Sequence, residues 1–386
     1  MSMLLNDEQR QLRDSARDFL SEQAPVGALR HVRDAGPAGF PRGYDPALWL
    51  QVVEMGWPAM IFPEQYDGLD FGYKGLGAVF EQAGRTLAAL PLLPSVVLCG
   101  EILMRAGNEA QRQSWLPRIA AGEAFMALAL EEGGRHDPAS VTTTARRNDS
   151  GDGWVIDGAK SFVLDGHIAD ALIVVARIAD QQNQPERMGL FLVDPELPGV
   201  EVLRTYMVDS RNAAQLRLNQ VKLDSQALLG SVDNAFPVLD AALDRARICL
   251  AAEALGIIDE SFERTLAYLK ERVQFDVAIG SFQALQHRAA RLYSEIEMLR
   301  SCVAAALDAI DSNSESSDVA VLASLAKAKS ADLGEKMLNE AVQLHGGIGV
   351  TDELDIGLFL KRVRTIQQTL GDGIFHRERY ARLKGF

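Results

Sequence analysis

An apolar stripe in the C-terminal third of the chain constrains the fold more than any other feature. Between residues 282 and 310, apolar residues recur at alternating steps of three and four. This spacing keeps one face of a long helix apolar and predicts near-parallel packing against other helices, as in a four-helix bundle. The stripe consists of Phe282, Leu285, Ala289, Leu292, Ile296, Leu299, Val303, Ala306 and Ile310.

Helical patterns lie on both sides of this stripe. The alanine-rich stretch at 236–272 predicts one long helix, whose small side chains let another helix approach closely. The polar segment 311–318 ends the striped helix, and a third long helix is predicted to run to about Gln343. Residues 6 to 124 also follow a helical pattern, which proline and glycine turns interrupt.

Residues 125–225 have a different pattern, with short β-rich runs between turn dipeptides such as Asp152-Gly153 and Asp157-Gly158. Several antiparallel strands at this spacing predict a β-barrel or β-sandwich of roughly 100 residues. We therefore predict a mainly α protein with an inserted β-domain. The predicted domains are a helical domain at 1–124, a β-domain at 125–230 and a four-helix bundle at 231–386.

Composition excludes several classes of function. The net charge of −14 argues against nucleic acid as the main ligand, although a local basic cluster can still bind a smaller anion. No run of 18 apolar residues predicts a membrane span, and the first residues carry no leader pattern. The histidines show no metal-ligand spacing. We expect a soluble, cytoplasmic protein without a metal site.

Six sequence motifs, spread over essentially the whole chain, carry a family resemblance. None is decisive alone, since a single Gly-Gly turn is weak evidence for a ligand site. In order, they are Gly56-Trp57 with 62–68, 107–111 with Leu116-Pro117 and Gly122-Glu123, Asp157-Gly158-Ala159-Lys160, Arg272-Val273-Gln274-Phe275 with Ile279, Phe282-Gln283, and Gln343-Leu344-His345-Gly346-Gly347-Ile348-Gly349. In this order and spacing they resemble the acyl-CoA dehydrogenases, and most closely the small subunit of pimeloyl-CoA dehydrogenase and similar two-subunit enzymes.

The resemblance implies the acyl-CoA dehydrogenase fold and an FAD-dependent α,β-dehydrogenation of an acyl-CoA thioester in acyl-CoA catabolism. It also implies an electron-transfer flavoprotein as electron acceptor, and a homo- or heterotetramer. The reaction requires a base for the proton alpha to the thioester carbonyl, and donors that polarise that carbonyl. The flavin supplies the redox chemistry.

In the family, a neighbouring chain holds the adenine and pyrophosphate end of FAD. Arginine suits this task because its planar guanidinium stays charged and matches phosphate oxygens. One departure is Asp276, which puts an anion where the family has glycine. The matching residues here are Arg272, Phe275, Gln283, Gln343, Gly346 and Gly347.

At the flavin-ring end, the resemblance reveals larger departures. Leu130 and Leu164 stand where the family has two flavin-facing hydroxyls, and Phe162 stands where it has tryptophan. His136 replaces a phosphate-contacting serine. An unpaired buried polar group costs about 1–3 kcal/mol, so these leucines leave the polar edge of the ring poorly satisfied. Arg135 and His136 either compensate as phosphate donors or form an exposed polar loop.

The family's catalytic base is also missing. Leu370 stands in place of the usual glutamate, and Ala246 occupies the alternative position before Arg247. Asp372, two residues from the lost glutamate, is our first candidate for the base, and its alternative role is to cap the following helix. Glu253, on an alanine-rich face, is the second candidate, and its alternative is a structural ion pair.

Two more residues of the long helix are candidates for binding the substrate. Arg247 matches the family's arginine at this position, and Asp244 precedes it by one turn. Asp244 has the alternative of pairing with a nearby arginine.

Three functions are compatible with these residues. The first is a catalytic dehydrogenase with Asp372 as the base. The second is a non-catalytic partner subunit that completes the FAD site of a catalytic chain, and the clustering of all the losses at one end of the site favours it mechanistically. The third is a flavin monooxygenase or oxidase, for which no residue indicates oxygen chemistry.

Overall fold

The computed structural model describes residues 5–179 and 187–386. The chain forms two compact units, each of which is described by itself. The helical unit comprises Met1–Asp34, Gly72–Ala88 and Arg247–Phe386, and the sheet unit comprises Ala35–Phe71 and Ala89–Ala246. The three-domain division with boundaries after residues 124 and 230 stays a prediction.

The secondary structure follows the predicted order of helices, strands and helices. A π-helix at Leu93–Gly100 precedes α5. The helices are α1 (Asp7–Gln23), α2 (Val26–Gly39), α3 (Pro46–Glu54), α4 (Tyr73–Thr86), α5 (Glu101–Ala106), α6 (Glu109–Ala120), α7 (Ala235–Glu271), α8 (Gln283–Asp311), α9 (Ser316–His345), α10 (Ile356–Gln368) and α11 (Gly373–Lys384). The strands are β1 (Met126–Ala129), β2 (Thr144–Arg147), β3 (Gly153–Leu164), β4 (Ala171–Ile178), β5 (Met188–Val193), β6 (Val200–Tyr206), β7 (Asn212–Asp224), β8 (Leu228–Leu229), β9 (Val273–Gln274) and β10 (Val277–Ala278).

Side-chain caps explain where two of the helices begin. Asn6 accepts a hydrogen bond from the backbone N–H of Gln9, and the Gln9 side chain accepts one from the backbone of Asn6. Asn108 and Gln111 form the same reciprocal pair at the start of α6. Each pair satisfies N–H groups that the helix itself cannot, so both starts follow from local sequence.

In the helical unit, α1 packs on α4, α4 on α8, and α8 on α9, which also packs against α10 and α11. The three long helices predicted from the sequence are confirmed as α7, α8 and α9. The apolar stripe of α8 is buried at the positions from Leu292 to Ile310. Its first residue, Phe282, remains 37% exposed. The stripe therefore packs within the unit along only part of its length.

Glycines allow a very close approach between α4 and α7. A Cβ built on Gly256 would lie 1.8 Å from the carbonyl oxygen of Glu81, and one built on Gly84 would lie 2.1 Å from that of Glu253. No side chain fits at either position unless a backbone moves. The predicted close helix approach in the alanine-rich segment is therefore made by glycine against backbone.

The strands of the sheet unit form one sheet in the order β6-β7-β3-β2-β4-β5-β8, with β1 also paired to β4. The prediction of antiparallel strands is wrong for two pairs, because β1 and β2 both run parallel to β4. After β3, the 3-10 turn Gly166–Ile168 leads the chain to the far side of β2. The spacing of β-rich runs cannot reveal which neighbour a strand joins.

An apolar core lies against this sheet. Trp154 of β3 packs edge-on against Phe191 of β5, with ring centres 5.2 Å apart. Residues of β4 and β7 belong to the same core. Because Trp154 and Phe191 lie on strands that β2 and β4 separate, the sheet must curve to bring their rings together.

The described residues lack two features that would indicate a membrane span or a metal site. No helix among them is long and apolar enough to cross a membrane. They also contain no group of three or more His, Cys, Asp or Glu side chains that could hold a metal ion.

We predict that Gly256→Ala destabilises the protein by about 1–3 kcal/mol, because the new methyl group must displace the backbone of α4. The measurement is the free energy of unfolding in urea. Gly357→Ala is the matched control, since it also lies in a helix but a Cβ there meets nothing within 4 Å. The control should be neutral or slightly stabilising, by up to about 1 kcal/mol. Equal effects of the two substitutions would contradict the close-contact explanation.

Candidate cofactor and active site

Contacts within the helical unit gather the ends of three helices. The rings of Tyr268 in α7 and His345 in α9 stack with centres 4.5 Å apart. Arg288 near the start of α8 donates a hydrogen bond of 2.7 Å to Glu340 of α9. This end carries all six residues predicted to hold a neighbour's FAD, namely Arg272, Phe275, Gln283, Gln343, Gly346 and Gly347.

The β9–β10 hairpin at this end has a strained and exposed tip. Phe275 and Asp276 both have positive φ, at 55° and 62°, between the paired residues Gln274 and Val277. A non-glycine residue in this conformation costs about 1–2 kcal/mol. Phe275 is 86% exposed, and its ring meets that of Phe282 edge-on at 6.1 Å. The tip thus holds an aromatic side chain in solvent at a conformational cost.

The turn after α9 provides accessible backbone. Gly346 has a φ of 68°, and a Cβ built on Gly346 or Gly347 would meet nothing within 4 Å. Arg272, Gln283 and Gln343 are exposed around the same end. A guanidinium, two amides and open backbone are a donor set that suits a phosphate-bearing ligand. These residues therefore fit the pyrophosphate end of a dinucleotide, with Asp276 as an opposing charge.

The sheet unit brings together the residues predicted at the flavin-ring end. The Lys160 ammonium donates to the carbonyl oxygen of Leu130 at 3.1 Å, and the Ser161 N–H donates to that of Glu131 at 2.7 Å. These bonds join the loop after β1 to the last part of β3. That part contains a register shift, within which Phe162 has a φ of 52°. Leu130, Phe162 and Leu164 therefore belong to neighbouring segments.

A buried ion pair stabilises this loop. Lys160 and Glu132 lie 2.7 Å apart, and the Lys160 side chain is fully buried. Burial lowers the pKa of Lys160 to about 8, against the opposing effect of the carboxylate. Burial would raise the pKa of Glu132, but hydrogen bonds from Lys160, Thr142 and Thr143 outweigh it and lower that pKa to about 2. Both side chains therefore stabilise the loop after β1.

His136 also has a partner within the loop and is not exposed. Its Nδ1 lies 2.5 Å from the Glu131 carboxylate, and its side chain is 5% exposed. Arg135 and the two preceding glycines are exposed. The exposed-loop alternative therefore describes Arg135 and not His136.

The flavin-ring positions do not offer the donors that a flavin needs. Leu130 is 4% exposed and Leu164 is partly buried, and neither has a polar side-chain atom. The hydroxyls of Thr142 and Thr143 are engaged within the sheet unit, since they bond to Glu132 and to the Ala159 carbonyl. The residues present fit the pyrophosphate end on the helical unit, but not the ring end on the sheet unit.

The turn between α10 and α11 carries Leu370, the position that the resemblance matches to the family's glutamate. Leu370 is 7% exposed and has a φ of 57°, unusual for a leucine. Its carbonyl oxygen accepts hydrogen bonds from Arg247 Nε at 3.2 Å and His376 Nε2 at 3.0 Å. Burial, with the charges of Arg247 and Lys327, holds the pKa of His376 far below its ordinary value. The imidazole is therefore neutral, with its proton on Nε2.

Asp372 has the geometry of a helix cap, which is the structural alternative to its role as a base. Its carboxylate accepts a 2.8 Å hydrogen bond from the Phe375 N–H, which caps the start of α11. The residue is half-buried, so solvent reaches part of it. Its role as a base stays a prediction.

Glu253 also has a structural partner. Its two carboxylate oxygens accept hydrogen bonds from Arg362 Nε at 2.8 Å and Nη2 at 2.7 Å. Both side chains are buried within the helical unit. A bidentate pair of this kind leaves the carboxylate committed to the arginine, which favours the structural alternative.

The two residues predicted to bind substrate are both buried on α7. Arg247 is fully buried, with its guanidinium 5.5 Å from the centre of the Phe375 ring. Asp244 is 3% exposed. Their contact with substrate stays a prediction.

Sequence reasoning missed a buried polar group of the helical unit that makes three hydrogen bonds, Lys327 of α9. Its ammonium is fully buried and donates to three backbone carbonyls around the Leu370 turn. A signal was present, because Lys327 follows Ala323 and precedes Ala331 by four residues, in the middle of an apolar helical face. The same reasoning missed Lys160 and His376.

Three stretches of the chain match one family. Residues 6–123 match the acyl-CoA dehydrogenase N-terminal domain, 126–221 the middle domain and 235–383 the C-terminal domain. The acyl-CoA dehydrogenase FadE12 of Mycobacterium tuberculosis is 31% identical over 82% of both chains. This chain belongs to the acyl-CoA dehydrogenase family. The predicted family resemblance is therefore confirmed, and membership makes the chain a flavoprotein of the oxidoreductase class.

Solved structures of this acyl-CoA dehydrogenase family agree with the fold. A variant of the Tcur3481-Tcur3483 steroid ACAD is 31% identical, covers 98% of both chains and superposes with a TM-score of 0.86. A chain of the ChsE4-ChsE5 complex from Mycobacterium tuberculosis covers 100% of this chain and 99% of its own, with a TM-score of 0.87. At 24% identity, this second likeness supports the fold alone.

We predict that Glu253→Leu and Arg362→Leu each destabilise the protein by about 3–5 kcal/mol, because each leaves a buried charge without its partner. The double variant should recover most of this loss, since two apolar side chains can replace a buried pair. Denaturant unfolding measures all three. The surface pair of Glu297 and Arg300 is the control, and Glu297→Ala should change stability by less than about 0.5 kcal/mol. Additive losses in the double variant would argue against the pairing.

Proposed function

We propose that this chain is one subunit of an FAD-dependent acyl-CoA dehydrogenase and that it is active with a partner chain of the same family. The reaction is the α,β-dehydrogenation of an acyl-CoA thioester. The observation that carries the proposal is a contrast in donor chemistry. The exposed end of the helical unit keeps the phosphate-binding set, whereas Leu130, Leu164 and Leu370 replace the polar groups of the ring and the base.

The exposed end supports the part of this proposal that concerns the partner. Arg272 and Gln283 present donors to solvent, and the Gly346-Gly347 turn leaves its backbone open. Bound FAD would supply the hydride-accepting chemistry of the complex. This chain's residues would hold its phosphates, with Arg272 contributing a charge-assisted bond. Phe275 and Phe282 give the same end an apolar surface for a neighbour to cover.

The ring end supports the requirement for a different partner. A copy of this chain would again present leucine at the positions of Leu130 and Leu164. A homotetramer would then pair each phosphate-binding end with a ring end that lacks the two hydroxyls of the family at these positions. A related chain with hydroxyls at those positions, and with a carboxylate at the position of Leu370, would complete the site.

Two of the similar structures are named for pairs of gene products, the Tcur3481-Tcur3483 enzyme and the ChsE4-ChsE5 complex. By likeness to the first, which is 31% identical, we propose that this chain belongs to a heterotetramer. Electron-transfer flavoprotein is its proposed electron acceptor, as the family resemblance implies.

We predict that the chain purified alone binds little flavin, and that co-expression with a related neighbouring gene product gives one flavin for each pair of chains. The visible spectrum measures this, and bleaching on addition of acyl-CoA reports turnover. In the complex, Arg272→Ala should weaken flavin binding roughly ten- to hundredfold, as expected for the loss of a charge-assisted bond. Arg10→Ala, which removes an exposed arginine of α1, is the control. Full flavin occupancy and bleaching by the isolated chain would contradict the proposal.

A second candidate is autonomous catalysis with Asp372 as the base, favoured by its half-buried carboxylate two residues from Leu370. Asp372→Asn tests it cleanly, because asparagine caps a helix as well as aspartate does. Under the partner proposal, turnover of the complex should stay within about twofold of the original. A loss of 10²–10⁴-fold, with unchanged unfolding, is the result that a base would give and would favour the second candidate.

A further inference from the structure

We propose that the charged ammonium of Lys327 positions the turn at 369–372, so that the conformation of this turn is linked to one proton. Lys327 acts here as a positioning residue, through backbone atoms. The inference concerns this chain's own turn and does not depend on which subunit performs the chemistry.

The hydrogen bonds of Lys327 require three donors. Lys327 Nζ donates to the carbonyl oxygens of Ile366 at 2.8 Å, Gly371 at 2.9 Å and Gln367 at 3.3 Å. All three partners are acceptors. An ammonium has three N–H donors, whereas a neutral amine has two and adds a lone pair of its own. Only the charged lysine can satisfy all three carbonyls together.

The location of these carbonyls gives the ammonium its structural role. Ile366 and Gln367 belong to the last turn of α10, where the helix leaves carbonyls without intrahelical donors and favours a cation. Gly371 lies beyond the turn. The ammonium therefore ties the end of α10 to the far side of the turn, across Leu370. This tie holds Leu370 and Gly371 at positive φ values of 57° and 104°.

Charged and titratable groups reach Lys327 from two other elements. Arg247 of α7 opposes its charge, and Asp372 at the start of α11 favours it. The neutral His376 of α11 bonds to the same turn through Leu370. Complete burial, with Arg247, lowers the pKa of Lys327 to about 7. The proton that the turn requires therefore titrates close to neutral pH.

Two opposite pH dependences follow from this arrangement. An unfolded lysine has a pKa near 10.4, so the folded chain binds fewer protons between about pH 7 and pH 10. Over that window, the contribution of Lys327 to global stability rises with pH. The local stability of the turn should instead fall as pH rises, because deprotonated Lys327 has one donor fewer for the three carbonyls. A buried lysine that merely filled space would produce the first dependence, because burial alone lowers its pKa, but it would not produce the second.

The test is amide hydrogen exchange of the peptide spanning 364–376 in the full chain, between pH 6 and pH 9, corrected for intrinsic exchange. Protection of the turn should fall roughly five- to tenfold as pH rises through about 7. Lys327→Met should show low protection that no longer depends on pH. Lys329→Met is the matched control, since Lys329 lies on the same helix but pairs with Glu295 near the surface, and it should follow the original chain.

A flat pH profile in the original chain would overturn the proposal, even if Lys327→Met failed to fold. The same pH-dependent fall in Lys327→Met would overturn it as well, because another group would then be responsible. A profile that falls in the original chain and in Lys329→Met, but not in Lys327→Met, supports it.

Discussion

The close approach of α4 and α7 is made by glycine against backbone, and the helical unit depends on it. Gly84 and Gly256 each lie so near a carbonyl of the opposite helix that a methyl group would not fit. The unit is assembled from three separate stretches of chain, and this contact joins the second to the third. The buried pair of Glu253 and Arg362 extends the same region, connecting α7 to α10. The buried ion pair therefore lies in the same region as a contact between backbones that leaves no room for a side chain.

The turn at Leu370 keeps the hydrogen bonds that support its backbone, although it carries no glutamate at position 370. Arg247, Lys327 and His376 are all fully buried, and all of them donate to backbone carbonyls of this turn or of the helix before it. None of these bonds requires a glutamate at position 370. Loss of a base at that position consequently leaves the backbone supported, because the support comes from basic side chains acting on carbonyls.

Chemical function and structural support are distributed differently in the two units. On the helical unit, the residues proposed to bind phosphate lie on an exposed end, where strain at Phe275 is tolerated in solvent. On the sheet unit, the polar groups near Leu130 are already consumed by the loop, with Lys160 bound to Glu132 and His136 bound to Glu131. A surface with free donors suits a partner, whereas a loop whose donors are satisfied internally has little left for a ligand.

Local pattern was sufficient for the long helices, the β-insertion and the family. A periodic apolar stripe and a capping side chain such as Asp372 determine local structure through residues that are close together in the sequence. Pattern was insufficient for the parallel pairing of β2 with β4, because strand spacing carries no information about neighbours. It also could not choose between two roles for Glu253, whose partner Arg362 is 109 residues away along the chain. Lys327 appeared in the sequence only as a lysine on an apolar helical face. Its three carbonyl partners come from a helix end and a turn about 40 residues away, and folding alone brings them within hydrogen-bonding distance.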